Sequence, residues 1–280
     1  MRTACVGLCI SLIPALFLLL NGADARAGVR RSDREVLIIA HRGVDKFAPE
    51  NTLAAYRKAV EMKLDYIEID VRTTKDGRFV IVHNSTVDGK TNGTGNVADL
   101  TAEQIRTLDA GSRFGPEFAG EKVPFLEEVL ELAKGKIDIY LDLKEAPVDK
   151  LVEVIRRHDM QNHIVVYGGY RDLKRIQQIC PELNVMPEGS TAARVDRVIE
   201  ALHPRVVAFT WRGFTKECVD KCHAAGAKVF LDTLGDGDNE AGMTHAIECG
   251  VDGIQTDHPD LLLKLLEKRA RMKTHPVALE

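Results

Sequence analysis

The chain predicts an α/β fold, a (β/α)8 TIM barrel with a small insertion after strand 2. Eight short apolar, β-rich runs lie at 36–40, 66–71, 137–143, 164–167, 184–186, 206–210, 228–231 and 253–256. The stretches between them have a helical period, as in Leu53, Tyr56, Val60 and Leu64, or Val195, Val198, Ile199 and Leu202. A length of 280 residues suits one such barrel or two average domains, so the repeating pattern decides.

The first 27 residues stand apart. Arg2 precedes an apolar run from Val6 to Leu20 that is interrupted by Pro14 and followed by Ala25-Arg26-Ala27, the pattern of a signal peptide cut after Ala27. An uncleaved anchor needs a longer uninterrupted apolar segment. The expectation is therefore an exported protein, periplasmic or secreted, whose single barrel domain spans 28–280 with no stable membrane insertion after cleavage. Cys5 and Cys9 leave with the leader. Cys180, Cys218, Cys222 and Cys249 are spread through the C-terminal half without metal-finger spacing; export permits disulfides, and buried free thiols are the plainer reading.

One interval breaks the repeat. From about 79 to 123 the chain inserts an extra strand, a glycine-rich polar turn at 88–96 and a helix-like piece at 101–108. Loops that follow barrel strands form the functional face, so this insertion is a candidate lid or substrate wall. A formal charge of −4 provides no basic field for nucleic acid, which is not an expected partner.

The strand ends carry the chemistry. Glu68 and Asp70 are two apart, so on an extended strand they share a face, while Ile67, Ile69 and Val71 pack on the other. Asp142 in Leu141-Asp142-Leu143-Lys144 is placed to add a third oxygen ligand, and Lys144 on the same face can neutralise a phosphate oxygen. Burying such carboxylates without a cation is costly, and an all-oxygen set suits a hard divalent cation, Ca2+ or Mg2+, better than zinc. The bland alternative is a structural ion-pair cluster of Glu68, Asp70, Asp142, Arg42 and Lys144. His41 and His83 each follow a strand and can converge above the barrel as general acid and base, with Arg42 holding an anionic oxygen. His158, His203, His223 and His245 lie in helices or loops without evident partners and stand as ordinary structural residues. Glu50-Asn51-Thr52 precedes the first helix, and two readings stay open: a helix cap from Asn51 or Thr52, or Glu50 orienting Arg42 or a metal-bound water. Asp236-Gly237-Asp238-Asn239-Glu240 lacks the later glycine and distal glutamate of a calcium loop and reads as a polar rim loop able to influence head-group entry. These features together indicate metal-dependent cleavage of a phosphodiester.

The order His-Arg-Gly at 41–43, Pro-Glu-Asn-Thr at 49–52, Glu-x-Asp-Val at 68–71, Thr-Lys-Asp-Gly at 74–77 and then His83 resembles the glycerophosphodiester phosphodiesterase family. The likeness continues through 123–129, 141–144 and Asp252-Gly253-Ile254-Gln255-Thr256-Asp257-His258-Pro259-Asp260, with the middle third weakest. The resemblance implies the same barrel, Glu68, Asp70 and the acid at 142 as metal ligands, His41 as base and His83 as acid. It implies attack by the neighbouring glycerol hydroxyl, release of an alcohol and opening of a cyclic phosphate to glycerol phosphate. Three positions depart from the family pattern: Asp142 stands where glutamate is usual, Asn84 where aspartate commonly follows the second histidine, and Val229-Phe230-Leu231-Asp232-Thr233-Leu234 lacks the usual tryptophan and asparagine of the glycerol pocket. Asn84-Ser85-Thr86 and Asn92-Gly93-Thr94 also match the glycosylation pattern, but a glycan on Asn84 would crowd the site, so at least the first is read as accidental.

The leading expectation is hydrolysis of soluble glycerophosphodiesters. Two alternatives stand beside it: a phospholipase D-like barrel that cleaves lysophospholipid or sphingolipid head groups, and a catalytically silent barrel that binds a phosphoester.

Overall fold

The computed structural model describes residues 33–274; the expected leader at 1–27 lies outside the described residues. In chain order the elements are β1 (Leu37–Ala40), α1 (Leu53–Glu61), β2 (Tyr66–Thr73), β3 (Phe79–Ile81), α2 (Ala102–Thr107), α3 (Leu126–Ala133), β4 (Asp138–Glu145), α4 (Val148–Arg157), β5 (Ile164–Tyr167), α5 (Tyr170–Ile179), β6 (Asn184–Met186), α6 (Ala192–Leu202), β7 (Val206–Thr210), α7 (Lys216–Ala224), β8 (Lys228–Asp232), α8 (Glu240–Cys249), β9 (Gly253–Thr256) and α9 (Pro259–Thr274).

Eight of the strands lie side by side and parallel in the order β6-β5-β4-β2-β1-β9-β8-β7. The ring is drawn together where β6 has already ended: Ala208 N donates to Pro187 O at 2.9 Å, Gly189 N donates to Ala208 O at 2.8 Å, and Glu188 bridges Ala208 in parallel. The architecture is the nearly closed α/β barrel that the alternation predicts. Its strands differ from the sequence-based bounds by a residue or two. β2 runs on to Thr73, where it pairs with β3, β4 runs to Glu145, whose backbone carbonyl accepts from Thr73 Oγ1 at 2.8 Å, and β8 runs to Asp232, which lines the cavity and keeps its ladder with β7.

The period of two sorts each strand. On β2, Ile67, Ile69 and Val71 face the helices in the large core shared with Leu126, Val129 and Leu141, while Tyr66 joins Leu37, Ile39, Tyr140, Val165, Met186 and Phe230 inside the barrel. This inner layer plugs the barrel, with Tyr66 and Phe230 edge to face at 5.5 Å between ring centres. Glu68 and Asp70 continue the same inward face toward the carboxyl ends of the strands. Register places Glu68 beside Tyr140 and Asp70 beside Asp142 on β4.

The insertion begins with β3, antiparallel to β2, and has its own apolar cluster of Val80, Val82, Val87, Val97, Ile105 and Val123. Thr101 and Gln104 form a reciprocal capping box on α2. Asp109 is the knot of its outer loop, accepting from Gly111 N, Ser112 N, Ser112 Oγ and Gly120 N at 2.7–2.8 Å. The insertion touches the catalytic face through Glu121, which accepts from Ala54 N at 3.1 Å, and through Lys90, which donates to Glu50 Oε2 at 2.8 Å.

Cys180, Cys218, Cys222 and Cys249 are buried free thiols. Among the described residues no helix is long and apolar enough to cross a membrane.

Candidate active site

The loop after β1 makes a turn that depends on backbone conformation. Arg42 has φ 51° and Gly43 φ 84°, both left-handed, and a Cβ at Gly43 would sit 2.7 Å from the Ala55 Cβ. Glycine lets α1 pack against this turn. The turn aims Arg42 N at Glu68 Oε2, 2.7 Å away, and brings Asn51 N to Arg42 O at 2.9 Å.

Both open readings of residues 50–52 now separate by residue. Thr52 is the cap of α1, its hydroxyl accepting from Ala55 N at 3.3 Å. Asn51 is buried with φ 56° and does no capping: its amide donates to Asp70 Oδ2 at 2.8 Å, and its carbonyl accepts from Tyr56 OH at 2.8 Å. Glu50 orients Arg42, with Oε1 3.1 Å from Arg42 Nη1.

Glu68, Asp70 and Asp142 each offer a carboxylate oxygen within 4.8 Å of the others. Glu68 and Asp70 are 2% and 1% exposed. Asp70 Oδ1 accepts no hydrogen bond and has only the Lys144 ammonium, 3.3 Å away. Lys144 also donates to Asp142 Oδ2 at 2.5 Å. Burial, then the charges of Asp70 and Asp142, push the Glu68 carboxyl well above its ordinary range, and burial also raises Asp142 despite Lys144. Burial works against the Lys144 charge, yet the Asp142 hydrogen bond and surrounding acids hold its pKa above normal. Three converging carboxylates with an orphaned oxygen and an uphill ionisation fit a hard divalent cation. Nitrogen and sulfur ligands are absent from that group.

His41 and His83 line one cavity of about 270 Å3 together with these acids, Arg42 and Lys144. His41 Nδ1 lies 2.6 Å from Asp257 Oδ1, which fixes the proton on Nδ1 and leaves Nε2 for a substrate. Burial opposes the Asp257 charge, but the His41 hydrogen bond and the nearby Lys46 and Arg42 charges hold its carboxyl below the usual range. His83 Nδ1 is 2.9 Å from Asn84 Oδ1, and its carbonyl is gripped by Arg72.

Several residues here escape a reading of the sequence alone. Asp257 follows the last strand directly, as His41 follows the first, and its strand-end position is the signal that could have found it. Glu188, Asp232 and Gln255 also line the cavity. Asp238, expected in a polar rim loop, is instead a clasp: it accepts from the hydroxyls of Thr233 and Thr256 and, at 2.8 Å, from Asp257 N. Asn239 caps α8. Three of the set-aside histidines do have partners, a correction to the expectation: His158 meets Glu131 at 2.7 Å, His223 meets Asp252 at 2.8 Å, and His245 packs edge-on to Trp211 and Phe214, while His203 ends α6 in the left-handed region. These pairs span 27 and 29 residues of chain and are invisible to local pattern. None of the four lines the cavity.

Fold and site define a (β/α)8-barrel enzyme whose acids and imidazoles gather at the carboxyl ends of the strands. Residues 41–261 match the Glycerophosphoryl diester phosphodiesterase family. A glycerophosphodiester phosphodiesterase of Caldanaerobacter subterraneus subsp. tengcongensis is 36% identical over 250 residues, covering 84% of this chain and 99% of the relative. The crystal structure of a glycerophosphodiester phosphodiesterase from Agrobacterium tumefaciens superposes with a TM-score of 0.74 at 31% identity, over 82% of this chain and 99% of the other. A phosphodiesterase of Oleispira antarctica, solved in complex with the product sn-glycerol-3-phosphate, gives 0.75 at 28% identity over 82% and 96% of the two chains. The chain belongs to the glycerophosphoryl diester phosphodiesterase family and is by that membership an enzyme, a phosphoric diester hydrolase.

Proposed function

We propose that this barrel is an exported, metal-dependent phosphodiesterase that hydrolyses glycerophosphodiesters to glycerol phosphate and an alcohol by acid–base catalysis through a cyclic phosphate. The observation that carries the reading is the meeting of His41 and His83 with three converging carboxylates, two of them buried, on one cavity.

Glu68, Asp70 and Asp142 would hold Ca2+ or Mg2+, which when bound supplies Lewis-acid stabilisation of charge on the phosphoryl oxygens. His41 Nε2 takes the proton of the glycerol hydroxyl next to the diester as that oxygen bonds to phosphorus. The bond from phosphorus to the head-group oxygen breaks, and His83 delivers a proton to the departing alcohol. In the second half, His83 accepts a proton from water as it adds to phosphorus, the ring P–O bond opens, and His41 returns its proton to the glycerol oxygen. Asp257 keeps His41 in the tautomer this needs. Arg42 and Lys144 face the phosphoryl oxygens as fixed positive charges.

The substrate is a small-molecule phosphodiester; the net charge of −4 offers nucleic acid nothing, and no stable membrane insertion is assigned to the mature chain. Export rests on the pattern of residues 1–27, and the single barrel domain is assigned to 28–280.

The test is turnover of a glycerophosphodiester panel by metal-stripped protein given Ca2+ or Mg2+, with products followed by phosphorus NMR. Glycerol phosphate, a free alcohol and a transient cyclic phosphate are expected from the wild type and not from His41→Ala or His83→Ala. Ligand binding without turnover in wild type and both variants would show a silent binding barrel instead.

A further inference from the structure

Behind His41 lies a second group of metal-ligating side chains. Parallel pairing sets Ala40 beside Thr256, so His41 and Asp257 leave β1 and β9 side by side. The turn that follows, held by Phe47 N and Ala48 N on Val44 O at 2.8 and 3.1 Å, brings Asp45 to the same pair. A nitrogen of His41 and one carboxylate oxygen each of Asp45 and Asp257 lie within 4.8 Å of one another. His41 lines the catalytic cavity, whereas Asp45 and Asp257 do not. The group therefore reaches the reaction from the far side of the imidazole, through Nδ1, which already meets Asp257 Oδ1 at 2.6 Å.

The donor set differs in kind from that of Glu68, Asp70 and Asp142. One imidazole nitrogen with two carboxylates suits zinc, held by three protein ligands and a water, while Ca2+ and Mg2+ favour oxygen alone. A second observation concerns Asp45 itself: its Oδ1 is shut off from solvent and accepts no hydrogen bond. Burial, then the Asp257 charge, push the Asp45 carboxyl up, with Glu50 adding, and the charges of Lys46 and His41 do not bring it back. The side chains of His41 and Asp257 are 13% and 25% exposed, enough for an ion to enter from solvent.

We propose that His41, Asp45 and Asp257 form an inhibitory site for Zn2+, separate from the acids that hold the hard cation. The inhibition rests on the phosphodiesterase reading above; the binding does not. Bonds of about 2.0–2.2 Å set the ligand atoms of a tetrahedral zinc roughly 3.4 Å apart, so the His41–Asp257 contact opens slightly as Asp45 closes in. Zinc takes the place of the proton on Nδ1. That proton passes to solvent, and Nε2 takes one up in exchange. An Nε2 that carries hydrogen has no lone pair for the glycerol hydroxyl, so the base is switched off in the wrong tautomer. The cavity itself stays open to substrate, and the loss falls on kcat with KM little changed.

The experiment titrates Zn2+ into full-length protein kept in saturating Mg2+ or Ca2+, and reads binding by calorimetry and turnover of a glycerophosphodiester in parallel. Wild type is expected to bind zinc that the hard cation does not displace, and to lose kcat as that site fills. Asp45→Asn, which keeps the shape of the side chain, should weaken zinc binding by about tenfold or more and shift the inhibition by the same factor, with zinc-free kcat and KM unchanged. Asp45→His, which restores a zinc ligand, should recover the wild-type sensitivity. The buried thiols are the same in all three proteins and cannot produce this difference. Equal zinc affinity in wild type and Asp45→Asn overturns the site, as does displacement of the ion by saturating Mg2+ or Ca2+, which places it on Glu68, Asp70 and Asp142. Zinc bound through Asp45 with turnover undiminished overturns the inhibition. If no glycerophosphodiester is turned over, the activity reading fails, and calorimetry alone still decides whether Asp45 holds zinc.

Discussion

Arg72 holds the carbonyl oxygen of His83 with two donors, Nε at 3.1 Å and Nη2 at 2.8 Å, while its Nη1 reaches Glu145 at 2.8 Å. The guanidinium stands where the pairing of β2 with β4 shifts register, between Val71 and Arg72. It therefore ties the start of the insertion to the barrel rim and sets the position of the second imidazole. Arg72→Ala should lower kcat by about 10- to 100-fold with little change in KM, since a displacement near 1 Å is enough for such a loss. In a His83→Ala background the same change should cost almost nothing more. Independent, additive losses would mean that Arg72 does not act through His83.

The Asp257–His41 pair makes a separate prediction. Asp257→Asn keeps a side chain of the same shape but removes the carboxylate that fixes the proton on Nδ1. A fall of about 100-fold in kcat is expected, with KM nearly unchanged. A raised KM at constant kcat would identify Asp257 as a substrate contact instead.

Cation binding should be visible in stability as well as in rate. Glu68, Asp70 and Asp142 repel one another in a buried space, so Ca2+ or Mg2+ added to stripped protein at about 100 times its Kd should stabilise the fold by about 2.7 kcal/mol. Glu68→Gln removes an ionisation that burial already opposes. That variant should match or exceed the wild-type melting temperature without metal, lose the response to added cation and lose activity. Full activity after exhaustive chelation would remove the cation from the reaction.

Asp109 gives the insertion an acid-sensitive latch. Hydrogen bonds from the backbone and hydroxyl of Ser112, and from Gly120 and Gly111, hold its carboxyl far below the usual aspartate range. A depressed folded-state pKa means the contribution is fully present above the ordinary value near 3.9 and is lost as pH falls below it toward the folded pKa. Hydrogen exchange at Gly111, Ser112 and Gly120 should accelerate relative to the rest of the chain as pH drops from about 5 to 2. Asp109→Ala should show fast exchange there at every pH, and an unchanged wild-type pattern in acid would contradict the latch.

Gly43→Ala tests the turn that presents Arg42. The added methyl meets Ala55 and the backbone is left-handed, so a loss of about 1–3 kcal/mol is expected in denaturant unfolding, together with a large drop in kcat. Retention of both stability and rate would show that α1 can retreat freely.

The barrel and its inward acids are readable because parallel strands alternate side chains with a strict period of two and because their ends are marked by charge. Glu68, Asp70, Asp142 and Lys144 fall on one face for that reason alone. Asn51 could not be read in this way, since its role depends on Asp70 and Tyr56, which reach it only after α1 and β2 have packed. Glu188 was hidden further still. It lies in a Pro-Glu-Gly loop after a three-residue strand, with no periodicity to give it a face, and its place on the cavity is set by the partner strand β7.

That loop joins two duties in one short peptide. The hoop of strands is drawn shut at Pro187, Glu188 and Gly189, and the side chain at the middle of this join lines the cavity. A substitution at residue 188 therefore loads a joint where, among the described residues, neighbouring strands are held by a few bonds instead of a full ladder. Substitution is mechanically freer at residue 232, which lines the same cavity but rides on a strand paired along both edges.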